Sequence, residues 1–434
     1  MRLMLASTIA VLGALTSVAT SAPANAQSRI GVPRTVKPKS ATQAVSVPTT
    51  VAGAAAPICQ AGITTGARTA LIALQQSVTA KDSVNIPPRL AAAQAVVKSN
   101  DDRCFIAQLR VKAAFDADNL SAVSPALEAQ LATGSVPTSR IATMFDELGT
   151  LQFRKADYAN ASASFERALA LEPQRVGTVI ILAETRVKQN RIADALPLYR
   201  KALAMEVAAG RVPDQKWFRR AVAVSHEAKS PLVYGFARDW ISAYPSADNW
   251  RDAIRVYANV SGADDASLID MYRLQRLTRS LKGEGDHARY AQILISRGFP
   301  GEAKAMLEEG FAANAVDRSL ASVKNYHAVA TTKAAGDRAS LDAQATAALA
   351  SPAAKQAMVL GEAYFGYGDY AKAAALFRAA QGKSGVDAEL AYLRLGMALA
   401  ASGDRAGATA ALGQVSGPRA DIARYWQTYA NTRS

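Results

Sequence analysis

Apolar and small residues recur at helical period through most of the chain from about position 59 onward, in paired segments separated by short polar turns. The clearest pair spans Phe145 to Pro173, FDELGTLQFRKADYANASASFERALALEP. At 3.6 residues per turn its first segment runs from about Ile141 to Lys155. Ala156, Asp157 and Tyr158 turn the chain, and the second segment reaches Glu172. This predicts an antiparallel helical hairpin. Gly149, Ala161 and Ala168 are small enough to let two backbones approach, and Phe165 is placed to fill the space between them. Strand signal is weak, because alternating β-branched runs are nearly absent and Ala dominates.

The order Leu148, Gly149, Ala161, Phe165, Ala168, Pro173 resembles the tetratricopeptide repeat, a helix–turn–helix of about 34 residues. Phe145 stands where that family usually has Trp, and Gln152 where it has Tyr. A degenerate unit precedes it from about Asn100 to Thr133, with Ala107, Val123 and Ala126 at marker positions. Leu182, Ala183, Ala195, Tyr199 and Ala202 form the next. Another starts near Asp214, with Ala221, Val224, Ala237, Trp240 and a closing Pro245. Trp250, Ala253, Ile254 and Tyr257 open a unit whose second helix is predicted around Ala266 to Leu281. Ala291, Leu294, Ala303, Leu307 and Gly310 mark one more. The pattern sharpens at Leu360, Gly361, Tyr364, Ala373, Phe377 and Ala380, and returns at Leu395, Gly396, Leu399, Ala408 and Leu412. Residues 316–349 are helical by period but fit poorly, and Pro418 to Thr432, with Tyr425 and Trp426, reads as a capping helix.

One hairpin cannot bury its apolar side alone, so neighbours must stack. The resemblance therefore implies an all-α fold, a right-handed superhelical solenoid of partly degenerate hairpins. The expected organisation is 59–140 as a degenerate N-terminal helical segment, 141–314 as repeats, 315–350 as an irregular helical connector, and 351–434 as C-terminal repeats with the cap.

Ahead of the helices, Arg2 gives a basic start, an apolar run follows to Ala19, and Ala24-Asn25-Ala26 is a small-x-small site before Gln27. Residues 1–26 read as a secretory signal peptide. The run is barely long enough to span a membrane, no cysteine follows the site, and no later stretch approaches about 18 continuous apolar residues. A secreted protein, in the periplasm of a Gram-negative bacterium, is the expectation, not an integral membrane protein after cleavage. Residues 27–58 carry Pro33, Pro38, Pro48 and Pro57 with Arg29, Arg34, Lys37 and Lys39, and read as a flexible basic tether. Cys59 and Cys104 are the only cysteines. An isolated pair in an oxidising compartment predicts a disulfide, worth about 4 kcal/mol on the chain-entropy model; a redox pair would favour Cys-x-x-Cys, which is absent.

The search for chemistry finds little. His226, His287 and His327 lack a second ligand at metal-binding spacing. No Gly-x-Ser-x-Gly elbow or phosphate-binding Gly-rich loop occurs. Asp101-Asp102 and Asp264-Asp265 read as helix caps and first-turn charges. No catalytic residue, metal or cofactor is assigned, and an enzyme is not expected.

Charge changes the picture more. The chain carries a formal +14, and secretion turns attention from nucleic acid to acidic proteins, anionic lipid and anionic glycan. Arg273, Arg276 and Arg279, taken as helical, lie opposite Met271, Leu274, Leu277 and Leu281 and predict an exposed basic face. The family resemblance implies a partner groove lined by the first helix of each hairpin. Its positions here would be Asp146, Thr150 and Phe153, then Ile180, Glu184 and Val187, and near the C-terminus Met358, Glu362 and Phe365. Some members grip a C-terminal carboxylate with a Lys/Asn/Arg clamp; Asp146 and Thr150 at two of its places do not match. Two readings stay open: a periplasmic scaffold for protein partners in envelope assembly or export, and a binder of anionic envelope glycan or lipid through basic helix faces.

Overall fold

The computed structural model describes Cys59 and residues 62–433. The signal peptide and tether read at 1–26 and 27–58 lie outside the described residues. The described chain is all-α: 21 α-helices, with no β-strand among the described residues. It divides after Thr185 into two compact units.

The first unit holds α1 (Thr65–Thr79), α2 (Ile86–Ala95), α3 (Asn100–Asp116), α4 (Leu120–Leu131), α5 (Thr138–Arg154) and α6 (Tyr158–Leu171), and the division falls inside α7 (Val176–Lys188). The expected hairpin is α5 with α6. Gly149 is needed there for space: a Cβ at that position would lie 2.7 Å from the Phe165 ring. Gln152 reaches across the hairpin, accepting from the Ser164 hydroxyl at 2.7 Å. Its amide thus meets a polar partner where the repeat pattern has an aromatic ring.

The turn between the two helices is a Schellman closure. The Asp157 amide donates to the Gln152 carbonyl at 2.9 Å, Ala156 takes φ +60°, and the Asp157 carboxylate then accepts from the Asn160 amide to start α6. The same backbone bond recurs at Asp369 to Tyr364 and at Asp404 to Leu399. Chain reversal is therefore written locally in each unit.

At the start of this unit a disulfide joins Cys59 to Cys104, with Cα atoms 5.5 Å apart. Asp102 is fully buried beside it and accepts from the Thr64 amide and hydroxyl and from the Lys98 and Ser99 amides. Burial works to raise its carboxyl, but those donors prevail and hold it at about 2. It also completes a capping box with Ser99 at the start of α3.

The second unit holds α8 (Ile192–Ala208), α9 (Gln215–Glu227), α10 (Leu232–Ala243), α11 (Ala247–Val260), α12 (Asp265–Leu277), α13 (Gly283–Ser296) and α14 (Pro300–Ala312). After these come α15 (Ala321–Ala334), α16 (Asp337–Ala350), α17 (Ala354–Gly366), α18 (Tyr370–Ala380), α19 (Ala388–Ser402), α20 (Arg405–Leu412) and α21 (Ala420–Thr432). The region expected as an irregular connector is a pair of regular helices, α15 and α16. Gly361 repeats the close approach of Gly149: a Cβ there would sit 2.5 Å from Phe377.

The last helix differs from its reading as a terminal cap. Besides packing on α19 and α20, α21 lies against α10 and α12, more than 150 residues earlier. The Trp426 indole N–H donates to the Asp270 carbonyl at 3.2 Å and the Tyr425 hydroxyl to the Ala253 carbonyl at 3.4 Å. Tyr257 packs edge-on against Tyr425, Trp250 against Tyr429 and Phe365 against Trp426. The buried side of α21 thus meets two separate sets of helices while Arg424 and Asn431 stay exposed, which a helix that only closes a stack does not need.

Candidate functional site

The expected groove positions fall into two kinds. On α5, Asp146, Thr150 and Phe153 are half-buried and share one face. Asp146 accepts from the Thr178 hydroxyl at 2.7 Å and lies 3.7 Å from Arg175; Phe153 packs edge-on against Tyr158 at 5.4 Å. On α7, Ile180 and Glu184 are buried, and Val187 is half-buried. On α17, Met358 and Glu362 are half-buried and Phe365 is buried. Phe365 lies against Trp426 and under the Arg273 guanidinium, 4.7 Å from its ring centre. Phe365 presents no open groove surface, and the Glu362 carboxylate is held by Arg273 and Arg394.

Arg273, Arg276 and Arg279 require a correction. The helix stops at Leu277, where the Thr278 hydroxyl donates to the Leu274 carbonyl, and Arg279 leaves it at φ +53°. A helical wheel drawn through Arg279 therefore fails. Arg273 is 1% exposed, not part of an outward basic face. It donates to both oxygens of Glu302 at 2.9 and 2.6 Å and to Glu362 at 2.5 Å. Arg276 forms a bidentate pair with Glu309 and donates to the Gly366 carbonyl at 3.0 Å. Only Arg279 of the three is exposed. A guanidinium on α12 is pulled inward because α14 and α17 present carboxylates to it.

These pairs belong to a larger buried network within the second unit. Arg394 on α19, 5% exposed, places Nη1 2.6 Å from Asp270 Oδ1 and donates through Nε to Glu362. The Tyr290 hydroxyl donates to Glu302 at 2.6 Å. Charged groups of α12, α14, α17 and α19 thus meet in one place. Their protonation follows from which term wins locally. Burial raises the Glu362 carboxyl, but Arg273 and Arg394 beside it prevail and hold it at about 2. Burial also opposes ionisation of Glu302, and Arg273 again overrides it, so its carboxyl falls below the usual range. At Asp270 burial is the stronger influence and lifts the carboxyl despite both arginines.

Sequence reasoning missed Arg394, Asp270, Glu302 and Tyr290. One signal was available: Arg394 is the lone charge in the otherwise apolar LAYLRLGMALAAS of α19. A solitary arginine on a helix buried all round needs an internal acid.

Among the described residues no group of three or more His, Cys, Asp or Glu side chains is arranged to hold a metal ion. The His287 ring contacts the Gly283 carbonyl at 2.8 Å, and its pKa is lowered first by burial. No described helix is long and apolar enough to cross a membrane.

No family model matches the chain, and no curated protein matches its sequence. Several solved structures are similar. A tetratricopeptide repeat protein from Parabacteroides merdae is 13% identical, with 68% of this chain and 99% of that one covered and a TM-score of 0.29. The C-terminal part of a TPR repeat-containing protein from Cytophaga hutchinsonii is 11% identical, with 75% and 99% covered and a TM-score of 0.26. PilF of Pseudomonas aeruginosa is 12% identical, with 61% and 97% covered and a TM-score of 0.23. At these scores the hairpins themselves, with their glycine–aromatic contacts and repeated turns, carry the description: an all-α, tetratricopeptide-like helical-repeat protein.

Proposed function

We propose that the protein is a non-catalytic scaffold of the bacterial periplasm that holds a protein partner on the α5 face of its first unit, in envelope assembly or export. The observation that carries this is the contrast between the two sets of groove positions. Asp146, Thr150 and Phe153 keep accessible surface along one face, while Ile180, Glu184 and Phe365 are buried and the half-buried Glu362 is held by Arg273 and Arg394. A helical-repeat surface offers an extended binding face. The reading as a binder of anionic glycan or lipid loses its main support, since Arg273 is buried against Glu302 and Arg276 is paired with Glu309 at the surface.

The test is a photo-crosslinking residue placed at position 150 in cells, with position 201 as an exposed control. A discrete adduct from 150 that is absent from 201, and lost with Phe153→Asp, is the expected result. Equal labelling from both positions, or retention of the protein in the cytoplasmic fraction, overturns the proposal.

A further inference from the structure

Beside the buried network lies a cavity of about 290 Å³, walled by the first turns of α12, the segment after α13, α17, α19 and the approach to α21. Its polar lining is balanced in sign. Asp264, Asp270 and Glu362 supply three carboxylates; Arg297, Arg394 and Arg419 supply three guanidiniums. The groups form two layers. Asp270 and Arg394 are 2% and 5% exposed and, with Glu362, make the floor. Asp264 and Arg297 are exposed and, with the half-buried Arg419, make the mouth. Ile269, Phe299 and Leu390 add apolar wall.

We infer that this cavity is a binding site for a small zwitterion, an α-amino acid with an apolar side chain. The floor groups pair among themselves and with Arg273, and Arg419 pairs with Asp387, so Arg297 and Asp264 stand at the mouth as one charge of each sign, and a ligand of net charge would engage one and oppose the other. A neutral, dipolar ligand avoids this: its carboxylate faces a guanidinium and its ammonium a carboxylate, each through charge-assisted hydrogen bonds. The apolar wall then accommodates the side chain. The floor is already fixed by the Arg394 pairs with Asp270 and Glu362, so the ligand meets a preorganised surface. The mouth groups sense one another: Asp264 is held low first by the Ser267 amide and then by Arg297 and Arg419. This inference stands apart from the partner surface on α5.

The probe set is L-leucine, leucinamide and 4-methylpentanoate, three molecules of one shape carrying both charges, the ammonium only, or the carboxylate only. Calorimetry and thermal unfolding of the whole mature chain read binding. L-leucine should bind saturably, raise Tm by roughly 5 °C at a hundredfold excess over Kd, and exceed either single-charge analogue at least tenfold in affinity. Arg297→Ala, at the exposed mouth, should weaken leucine at least tenfold while leaving the Tm without ligand unchanged. Leu390→Trp, which fills the cavity, should abolish binding. Equal affinity for 4-methylpentanoate or leucinamide overturns the zwitterion assignment. No binding by leucine, or binding unaltered by Arg297→Ala and by Leu390→Trp, overturns the site.

Discussion

Single residues decide how closely paired helices approach. At Gly361 an added Cβ would meet the Phe377 ring at 2.5 Å, and Phe377 is fully buried, so the ring cannot swing into solvent. Gly361→Ala should therefore cost about 1–3 kcal/mol through overpacking. Ala168, also without exposure between α5 and α6, should respond similarly when enlarged to Leu. Chemical denaturation of each variant checks both; an unchanged midpoint would mean that the hairpin relaxes at that point. These residues were legible in the sequence because the repeat pattern is a pattern of sizes, and size is what a residue carries irrespective of its surroundings. The inward turn of Arg273 was not legible. Its fate depends on Glu302 and Glu362, whose nearness arises only when α14 and α17 are folded against α12.

At the scale of elements, four helices are tied by buried charge, and removing one partner is costly. Arg394→Met leaves Asp270 and Glu362 short of a counter-charge and should destabilise the fold by about 3–5 kcal/mol. The network also shapes the acid response. Glu362 falls from 4.5 to about 2 on folding, so its stabilisation is complete above about pH 4.5 and is lost as the pH drops toward 2. Asp270, raised by burial, works in the opposite sense: its contribution is present at low pH and is lost as the pH climbs through its raised value. Glu362→Gln should accordingly lower stability at neutral pH and flatten the decline between about pH 4.5 and 2. Urea midpoints measured across that range check it, and a decline as steep as in the parent protein would show that Glu362 does not govern the acid limb. Helix positions were readable from period and turn chemistry, as the closures at Asp157, Asp369 and Asp404 show. The end of α12 was not, because Leu281 continues the apolar period past Leu277 and no turn residues announce the left-handed Arg279.

On the scale of the whole second unit, α21 links the last helices to the earlier α10 and α12. It buries Trp426 and Tyr425 completely and carries Asp421, which pairs with Arg238 at 2.8 Å. Three buried aromatic residues from two other helices, Trp250 and Tyr257 of α11 and Phe365 of α17, touch α21 directly. The sequence showed an amphipathic final helix with Tyr425 and Trp426, which suffices for a cap; contact with residues more than 150 positions away has no local signature. Ending the chain after Val415 should therefore do more than fray the last hairpin. Trp250, Tyr257 and Phe365 would be left facing water, the Asp270 carbonyl would lose the Trp426 indole donor, and α10 and α12 would lose a neighbour. Uncovering several aromatic side chains costs on the order of 1.5–3 kcal/mol each by area. The truncated protein should show a lower Tm, a red-shifted tryptophan emission and new binding of an apolar dye, while the disulfide between Cys59 and Cys104 still forms in the first unit. A synthetic peptide of residues 417–434 added in trans should reverse the emission shift. If truncation left Tm and emission as they were, α21 would be only a terminal cap, and the second unit would owe its closure to the charge network alone.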